Sequence, residues 1–393
     1  MATSTTPSIY GLLCFARGGP VPTTPVSAQT GALAPALPEL HLNVWEQDPG
    51  KDSKSPDSFL DIGLMLDAQD QTTSIELVFP RKMSAGSVVD LSPIVTQAQA
   101  IPAIFNESWA VVHMGSQGSD SVVYDPTDVN KSFAVVSING VITETQHGGH
   151  DALSISVPEL MTRANAVAQS ARRTIERVYI RFRLLEFRKE YYSVGAGERT
   201  SDWWQPSWQR TEDIDFRVNV RRGAPPRLEK QIGRFLEFSK VHLFLMRSRD
   251  KDIVFQDKLF KASRSLEDEE FWAQYSIYGT QLSPEASRKR VQNSLGYHWK
   301  AAGSDPVKEF GTLARFKVVE FGIGKFVAVA LVVGAMGNML WDGVKEVCSL
   351  LASHGDQHVA TASSVESPAA ARAAGQRPAA MKAKQPAEEK EGG

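Results

Sequence analysis

The sequence predicts an α+β fold in which β-strands dominate the N-terminal part and helices the C-terminal part. Three observations support this prediction. Short alternating or apolar segments recur from residue 40 onward, helical periodicity begins near residue 158, and one long apolar run ends at Trp341. A hydrophobic content of 42% with 22% charged residues is typical of a folded globular protein.

The N-terminal part is predicted to be an irregular leader followed by an acidic β-rich domain with a sandwich-like fold. The leader, residues 1–39, contains mostly Gly, Pro, Thr and Ala. In residues 40–157, turn signals separate the predicted strands HLNVWE, FLDIGLML, SIELVF, WAVVHM, SVVYD and ALSISV. The pair Asn139-Gly140 predicts a two-residue β-hairpin, because Asn-Gly accepts the positive φ angles of a type I′ turn.

Residues 158–264 are predicted to be a basic α+β region. Apolar residues at helical spacing predict a helix over residues 158–173. The segments RVYIRFRLLEF and IDFRVNVRR alternate apolar residues with arginines, which predicts half-buried strands whose outer face carries the arginines. VHLFLM is apolar on both faces and is predicted to be a central strand, preceded by a helix over residues 227–238.

Residues 265–320 are predicted to be charged helices. Ser265 to Asp268 resembles a capping box, and Ser283-Pro284 is typical of a helix start, with Gly296 suited to the end of that helix. We expect a further short helix near Asp305-Pro306. After a helix over residues 321–353, the Ala-, Lys-, Glu- and Pro-rich residues 354–393 lack large apolar side chains, which predicts a disordered tail.

The charge distribution suggests an anionic ligand. Residues 172–264 carry 22 Lys and Arg against 13 Asp and Glu, whereas residues 1–171 carry 7 against 17. We therefore consider a surface that binds an anionic ligand or nucleic acid, built from Arg181, Arg183, Arg217, Arg221, Trp203, Trp204 and Trp208. In the alternative interpretation, the tryptophans cover the edge of the core. The arginines would then pair with Glu186, Asp213, Asp215 and the acidic N-terminal domain.

No motif predicts a catalytic residue, a metal or a cofactor. The segment HGGHD (residues 147–151) offers two imidazoles beside a carboxylate, which is only a partial metal site, and we interpret it as an exposed loop. The other histidines are scattered. His242 alternates with apolar residues, so we interpret it as a buried core histidine whose hydrogen bonds are satisfied.

The apolar run from Phe321 to Trp341 predicts a marginal transmembrane helix. At 1.5 Å per residue it spans about 31 Å, close to the ~30 Å of a hydrocarbon layer, provided that Lys325 reaches back to the interface. Asn338 and four glycines weaken insertion, while small residues such as Gly334 let helices approach closely. The soluble alternative is a helix buried in an oligomer interface.

These observations predict a binding module rather than an enzyme. We expect a membrane-associated sensor or interaction protein that forms homo-oligomers, with cytoplasmic N-terminal domains. A sharper version is an effector of bacterial defence that permeabilises membranes. The alternative class is a soluble oligomeric enzyme or nucleic-acid-binding protein.

Overall fold

The computed structural model describes residues 11–19, 36–46, 58–80, 83, 86–97, 99–105, 109–114, 120–128, 131–185, 187, 191–196, 207–222, 224, 227–267, 269–321 and 323–355. The chain divides into two units, Met1–Ile323 and Gly324–Gly393, and each is described by itself. The first unit is rich in strands, and the second contains one long helix.

A ten-stranded sheet, called here the central sheet, organises the first unit. Along the sheet the strands are β17 (Ala262–Ser265), β18 (Ser294–Val307), β15 (Phe238–Ser248), β2 (Glu39–Glu46), β3 (Ser58–Asp67), β11 (Arg177–Leu184), β8 (Ser132–Val135), β7 (Asp120–Tyr124) and β6 (Ala110–Met114), and β5 (Val88–Asp90) also pairs with β11. Strand β15 runs parallel to β2, and β8 runs parallel to β11. The sheet thus combines strands from both sides of residue 157, where the sequence suggested a domain boundary.

Two smaller sheets complete the β-structure. The five-stranded sheet has the order β14 (Arg234–Phe235), β1 (Leu13–Arg17), β4 (Ser74–Val78), β10 (His150–Ser156) and β9 (Ile142–His147). The four-stranded sheet has the order β12 (Ser193–Ala196), β13 (Ser207–Val218), β19 (Phe310–Phe321) and β16 (Lys251–Gln256). Consecutive strands pass between sheets, since β15 and β18 lie in the central sheet whereas β16 and β19 lie in the four-stranded sheet.

One core lies between the three sheets. It joins Ile62 of the central sheet, Leu77 of the five-stranded sheet, and Phe216 and Phe316 of the four-stranded sheet, all of which are buried. Alternating side chains of a strand point to opposite faces, so each sheet contributes one apolar face to this core. The layers are sandwich-like, and the predicted strand-rich α+β class is confirmed.

Helices cover the opposite face of the central sheet. They are α1 (Ser92–Val95), α2 (Ala100–Phe105), α5 (Glu269–Ile277) and α6 (Pro284–Gln292). A second core packs Trp45 and Tyr179 of the sheet against Ile101, Trp272 and Val291 of the helices. Both faces of the middle strands are therefore buried, which removes the solvated face that the alternating sequence suggested.

Two further helices pack at the sides of the first unit. Helix α3 (Val157–Ala171) buries Leu160 and Ala164 in the first core, which confirms the helix predicted over residues 158–173. Helix α4 (Leu228–Ile232) packs against β1 and is shorter than the helix predicted over residues 227–238.

Helix α7 (Ile323–Gly355) dominates the second unit and corresponds to the helix predicted over residues 321–353. Its large apolar side chains are exposed, with relative exposures of 69% for Leu331, 69% for Leu340 and 68% for Leu351. Within the part of the chain that the structure describes, none of the helices has both the length and the apolar character that a membrane span requires.

The predicted Asn-Gly hairpin is wrong. Gly140 does adopt a positive φ of 75°, and Val141 N donates to Ile138 O, but this turn connects β8 of the central sheet with β9 of the five-stranded sheet. The hairpin lies one turn later, where Gly148 and Gly149 connect β9 and β10 with φ angles of 59° and 85°. Gly-Gly serves this type of turn as well as Asn-Gly does, and HGGHD is therefore a hairpin turn.

The leader and the helical region also need correction. The predicted irregular leader contains β1, a buried strand paired with β4. The start of α6 is confirmed, since Ser283 Oγ accepts a hydrogen bond from Ala286 N at 3.2 Å. That helix ends at Gln292, however, and Gly296 and the predicted helix near Asp305 lie in β18. The charged region thus ends in two long strands rather than in helices, and residues 356–393 lie outside the described residues.

A glycine in the middle of the central sheet provides a test of this packing. A Cβ atom added to Gly63 would lie 2.3 Å from Tyr179 Oη and 2.9 Å from its Cζ, so the Tyr179 ring must move. We expect Gly63→Ala to lower the free energy of unfolding by about 1–3 kcal/mol, measured by urea unfolding.

Gly311→Ala is the matched control, since Gly311 also lies in a strand but has open space around the added Cβ. It should change the free energy of unfolding by less than about 0.5 kcal/mol. Equal effects of the two substitutions would contradict the close approach of β3 and Tyr179.

Candidate functional site

The helix-covered face of the central sheet carries an unusual layer of polar side chains, called here the polar layer. Its members come from neighbouring strands and are Glu39, His41, Asp61, Tyr179, Arg181, Arg183, His242 and His298. The register places His41 opposite Gly63 and His242, and Asp61 opposite Arg183. Side chains opposite each other on one face lie close together, so strand pairing brings these residues together.

The Arg183–Asp61 ion pair is the centre of the polar layer. Arg183 Nε donates to Asp61 Oδ1 at 2.6 Å and Nη2 donates to Oδ2 at 3.1 Å, and both side chains are 0% exposed. Asp61 Oδ2 also accepts from Trp45 Nε1 at 3.1 Å and from the Tyr275 hydroxyl at 2.9 Å. A buried carboxylate needs this degree of pairing, because removing it from water is costly.

Arg183 also caps the C-terminal end of helix α5. Its Nη1 donates to the carbonyl oxygens of Tyr275, Ser276 and Tyr278 at 3.1, 3.1 and 3.0 Å. The last carbonyls of a helix have no partner within the helix and carry partial negative charge. One arginine therefore joins β3, β11 and the C-terminal end of α5.

Arg181 extends the polar layer through tyrosine hydroxyls. Arg181 Nε donates to Tyr275 Oη at 2.7 Å, and Nη1 donates to Tyr179 Oη at 2.9 Å. Burial raises the pKa of both tyrosines above the ordinary value, so both stay neutral. Arg181 is itself fully buried and adds a positive charge beside the neighbouring histidines.

Three histidines from different strands meet at one end of the polar layer, and they are called here the histidine cluster. The His41 and His242 ring centroids are 5.0 Å apart, and the His242 and His298 rings stack with centroids 5.2 Å apart. His242 Nδ1 lies 3.1 Å from His298 Nε2. His41 Nε2 is buried and has no hydrogen-bond partner among the described residues.

The surroundings keep these imidazoles neutral. Burial, followed by the charges of Arg181 and Lys240, lowers the pKa of His41 below its ordinary value. Burial and the adjacent histidines lower the pKa of His242 to about 3. Burial and the charges of Lys261, Arg264 and Lys300 lower the pKa of His298 to about 4. Neutral imidazole is the form that binds metal ions.

Glu39 is the acidic neighbour of the histidine cluster. Its Oε1 accepts from Arg177 at 2.5 Å and from Lys240 at 2.9 Å, while Oε2 faces His41 Nε2 at 3.9 Å. Burial opposes the charged form of Glu39, but the neighbouring His41, Lys240 and Arg177 outweigh it and lower the pKa of Glu39 below its ordinary value. Glu39, His41 and His242 each offer one ligand atom, and these atoms all lie within 4.8 Å of one another.

The predicted anion-binding surface does not form as a single surface. The prediction that Arg181 and Arg183 lie on an outer face is wrong, because both are 0% exposed beneath the helices. Arg217 lies in the four-stranded sheet, where it pairs with Asp215, as the alternative interpretation suggested. Arg221 is exposed, and its Cζ lies 4.8 Å from the centroid of the Phe235 ring.

The other predicted site residues are only partly described. Trp203 and Trp204 lie outside the described residues. The backbone of Trp208 in β13 lies opposite that of Glu320 in β19. Phe321 ends β19, and Lys325 lies in the first turn of α7. The remaining predicted membrane residues all lie exposed on α7, and they are Gly334, Asn338 and Trp341.

The sequence interpretation missed the histidine cluster. The pairing of β2 with β15, which joins His41 and His242, cannot be read from either segment alone. One local signal was available, since HLNVWE and VHLFLM both place a histidine in a strand whose other residues are mostly apolar. Two such strands in one sheet can pair their histidines.

Comparison with known proteins gives no further guide to function. The sequence matches no protein-family model and no curated protein.

The buried ion pair provides a second prediction. Arg183→Met leaves the Asp61 carboxylate buried without its partner and frees the last carbonyls of α5. We expect it to lower the free energy of unfolding by about 3–5 kcal/mol, measured by urea unfolding. The control Arg217→Met removes a partly exposed ion pair and should cost less than about 1 kcal/mol.

A double variant separates the ion pair from general disruption. Arg183→Met with Asp61→Leu removes both buried charges, so it should be more stable than the sum of the two single changes implies. Additive losses, or equal effects of Arg183→Met and Arg217→Met, would contradict the central role of this pair.

Proposed function

We propose that the protein is a non-enzymatic interaction module that associates with membranes through helix α7. The observation that carries the proposal is the exposure of large apolar side chains along this helix, from Val327 at 48% to Met339 at 77% and Leu351 at 68%. Exposed apolar patches of this extent mark sites of interaction with proteins or membranes. The first unit, with its buried cores, remains on the aqueous side.

The distribution of these side chains around the helix favours lipid as the partner. At 100° per residue, Leu331, Val332 and Val333 point in three directions, and all three are at least 50% exposed. A second helix covers one stripe of its partner and leaves the other sides in water. Lipid covers a helix over a wider part of its circumference. This difference favours a membrane, rather than a single partner helix, as the surface that α7 contacts.

The C-terminal half of α7 supports a position at the membrane surface. Val344, Val347 and Leu351 share one side of the helix, whereas Asp342 and Lys345 lie on the other. Asp342 Oδ1 and Lys345 Nζ are 3.7 Å apart. An amphipathic segment of this kind lies in the interface plane with its charges in water, so we propose shallow association rather than a single-helix span.

A flotation experiment tests this proposal. The full chain is mixed with vesicles of neutral or anionic phospholipid and centrifuged through a density gradient. We expect it to float with the vesicles, and we expect Leu340→Glu to weaken binding at least about tenfold, because a buried leucine contributes roughly 1.5–3 kcal/mol.

Leu259→Glu is the matched control, since Leu259 is 85% exposed but lies outside α7. It should float like the unchanged chain. A chain that stays in the aqueous fraction, or one whose flotation Leu340→Glu leaves unchanged, would overturn the proposal. Concentration-dependent oligomers in light scattering, lost in Leu340→Glu without any flotation, would instead favour the oligomer interface. Dye release from the same vesicles distinguishes membrane permeabilisation from association alone.

A further inference from the structure

We propose that the histidine cluster binds a divalent transition-metal ion, with Zn²⁺ the best fit, through Glu39, His41 and His242, while His298 supports the His242 ring. The proposal concerns the polar layer of the first unit and does not depend on helix α7. It is therefore separate from membrane association.

The geometry of the ligand atoms fits such an ion. Glu39, His41 and His242 each offer one ligand atom, and these atoms all lie within 4.8 Å of one another. Two ligand atoms at 2.0–2.1 Å from a tetrahedral Zn²⁺ are about 3.3 Å apart, so side-chain rotation would bring the three atoms onto one ion. His298 Nε2 lies 3.1 Å from His242 Nδ1 and would orient the His242 ring from outside the ligand group.

His41 distinguishes this cluster from a group of ordinary core histidines. The residue is 9% exposed, and its Nε2 has no hydrogen-bond partner among the described residues. A buried polar atom without a partner costs roughly 1–3 kcal/mol, so a histidine that served only to fill the core would be expected to have one. A metal ion between His41 Nε2 and Glu39 Oε2, now 3.9 Å apart, would satisfy both atoms.

The ligand types select the class of metal. Two imidazoles with one carboxylate suit Zn²⁺ and its neighbours in the first transition series, with water as a fourth ligand, whereas Mg²⁺ and Ca²⁺ prefer oxygen ligands. The second contacts of Glu39 fit this assignment, because Arg177 and Lys240 hold Oε1 and leave Oε2 directed at His41. Such outer contacts orient a ligating carboxylate.

The surrounding lysines set the expected strength of binding. Lys240 pairs with Glu39. Lys300 and Lys261 are exposed near His298, and their positive charges oppose the binding of a metal cation. Removing one of these charges should therefore tighten metal binding. This effect has no counterpart if the histidines only pack the core.

The test uses the full chain, freed of metal by chelation and then titrated with Co²⁺ and Zn²⁺. Co²⁺ in a four-coordinate nitrogen and oxygen site gives visible absorption bands, and Zn²⁺ should displace it at one ion per chain. We expect His242→Ala and Glu39→Gln each to weaken binding at least about tenfold. Lys300→Gln should strengthen it about two- to fivefold.

His113→Ala is the matched control, because His113 is exposed in β6 and lies outside the Glu39, His41 and His242 group found among the described residues. It should bind both ions as the unchanged chain does. Zn²⁺ should also raise the melting temperature of the unchanged chain, and this measurement needs no variant. The proposal is overturned if the unchanged chain shows neither the Co²⁺ bands nor a melting shift. It is also overturned if folded His242→Ala, verified by circular dichroism, binds as tightly as His113→Ala.

Discussion

The Arg183–Asp61 ion pair is the interaction on which the arrangement of the first unit depends. Both groups are fully buried, and two charges leave water only where hydrogen bonds and opposite charges replace it. Those replacements come from β3, β11 and the end of α5, so the pair has its full set of partners only where helices cover the sheet. The helical cover and the polar layer therefore require each other. Without the helices, Arg183 and Asp61 would lose several of their hydrogen-bond partners.

This constraint also fixes the environment of the histidine cluster. The helices that hide Arg183 also hide Arg181, whose charge acts on His41 together with the burial that keeps the imidazole neutral. His41 and His242 belong to parallel strands at the centre of the sheet, where neither backbone can shift independently. The cluster is thus preorganised by the fold, and preorganisation of this kind lowers the cost of ordering ligands around a bound ion.

Most individual elements could be predicted from the sequence, but their partners could not. The period-two patterns identified β2, β3 and β11, and helical spacing identified α3, because these patterns report which side of one segment is apolar. The same pattern failed for Arg181 and Arg183, since a strand whose polar face lies beneath helices alternates just as an exposed strand does. The cover comes from α5 and α6, far along the chain, and no local pattern reports it. The histidine cluster was missed for the same reason.

The two units depart from the usual distribution of side chains in different ways, since the first unit buries charged groups and the second exposes apolar ones. The first unit buries charged groups such as Asp61 and Arg247, and each has partners supplied from within that unit. Helix α7 instead exposes Val, Leu and Met side chains, and apolar surface in water is costly in proportion to its area. Buried charges with internal partners need nothing further, whereas exposed apolar side chains gain free energy only from an external partner. The physical demand for a lipid or protein partner therefore lies in α7. In the polar layer, a single ion would satisfy the His41 nitrogen that lacks a hydrogen-bond partner among the described residues.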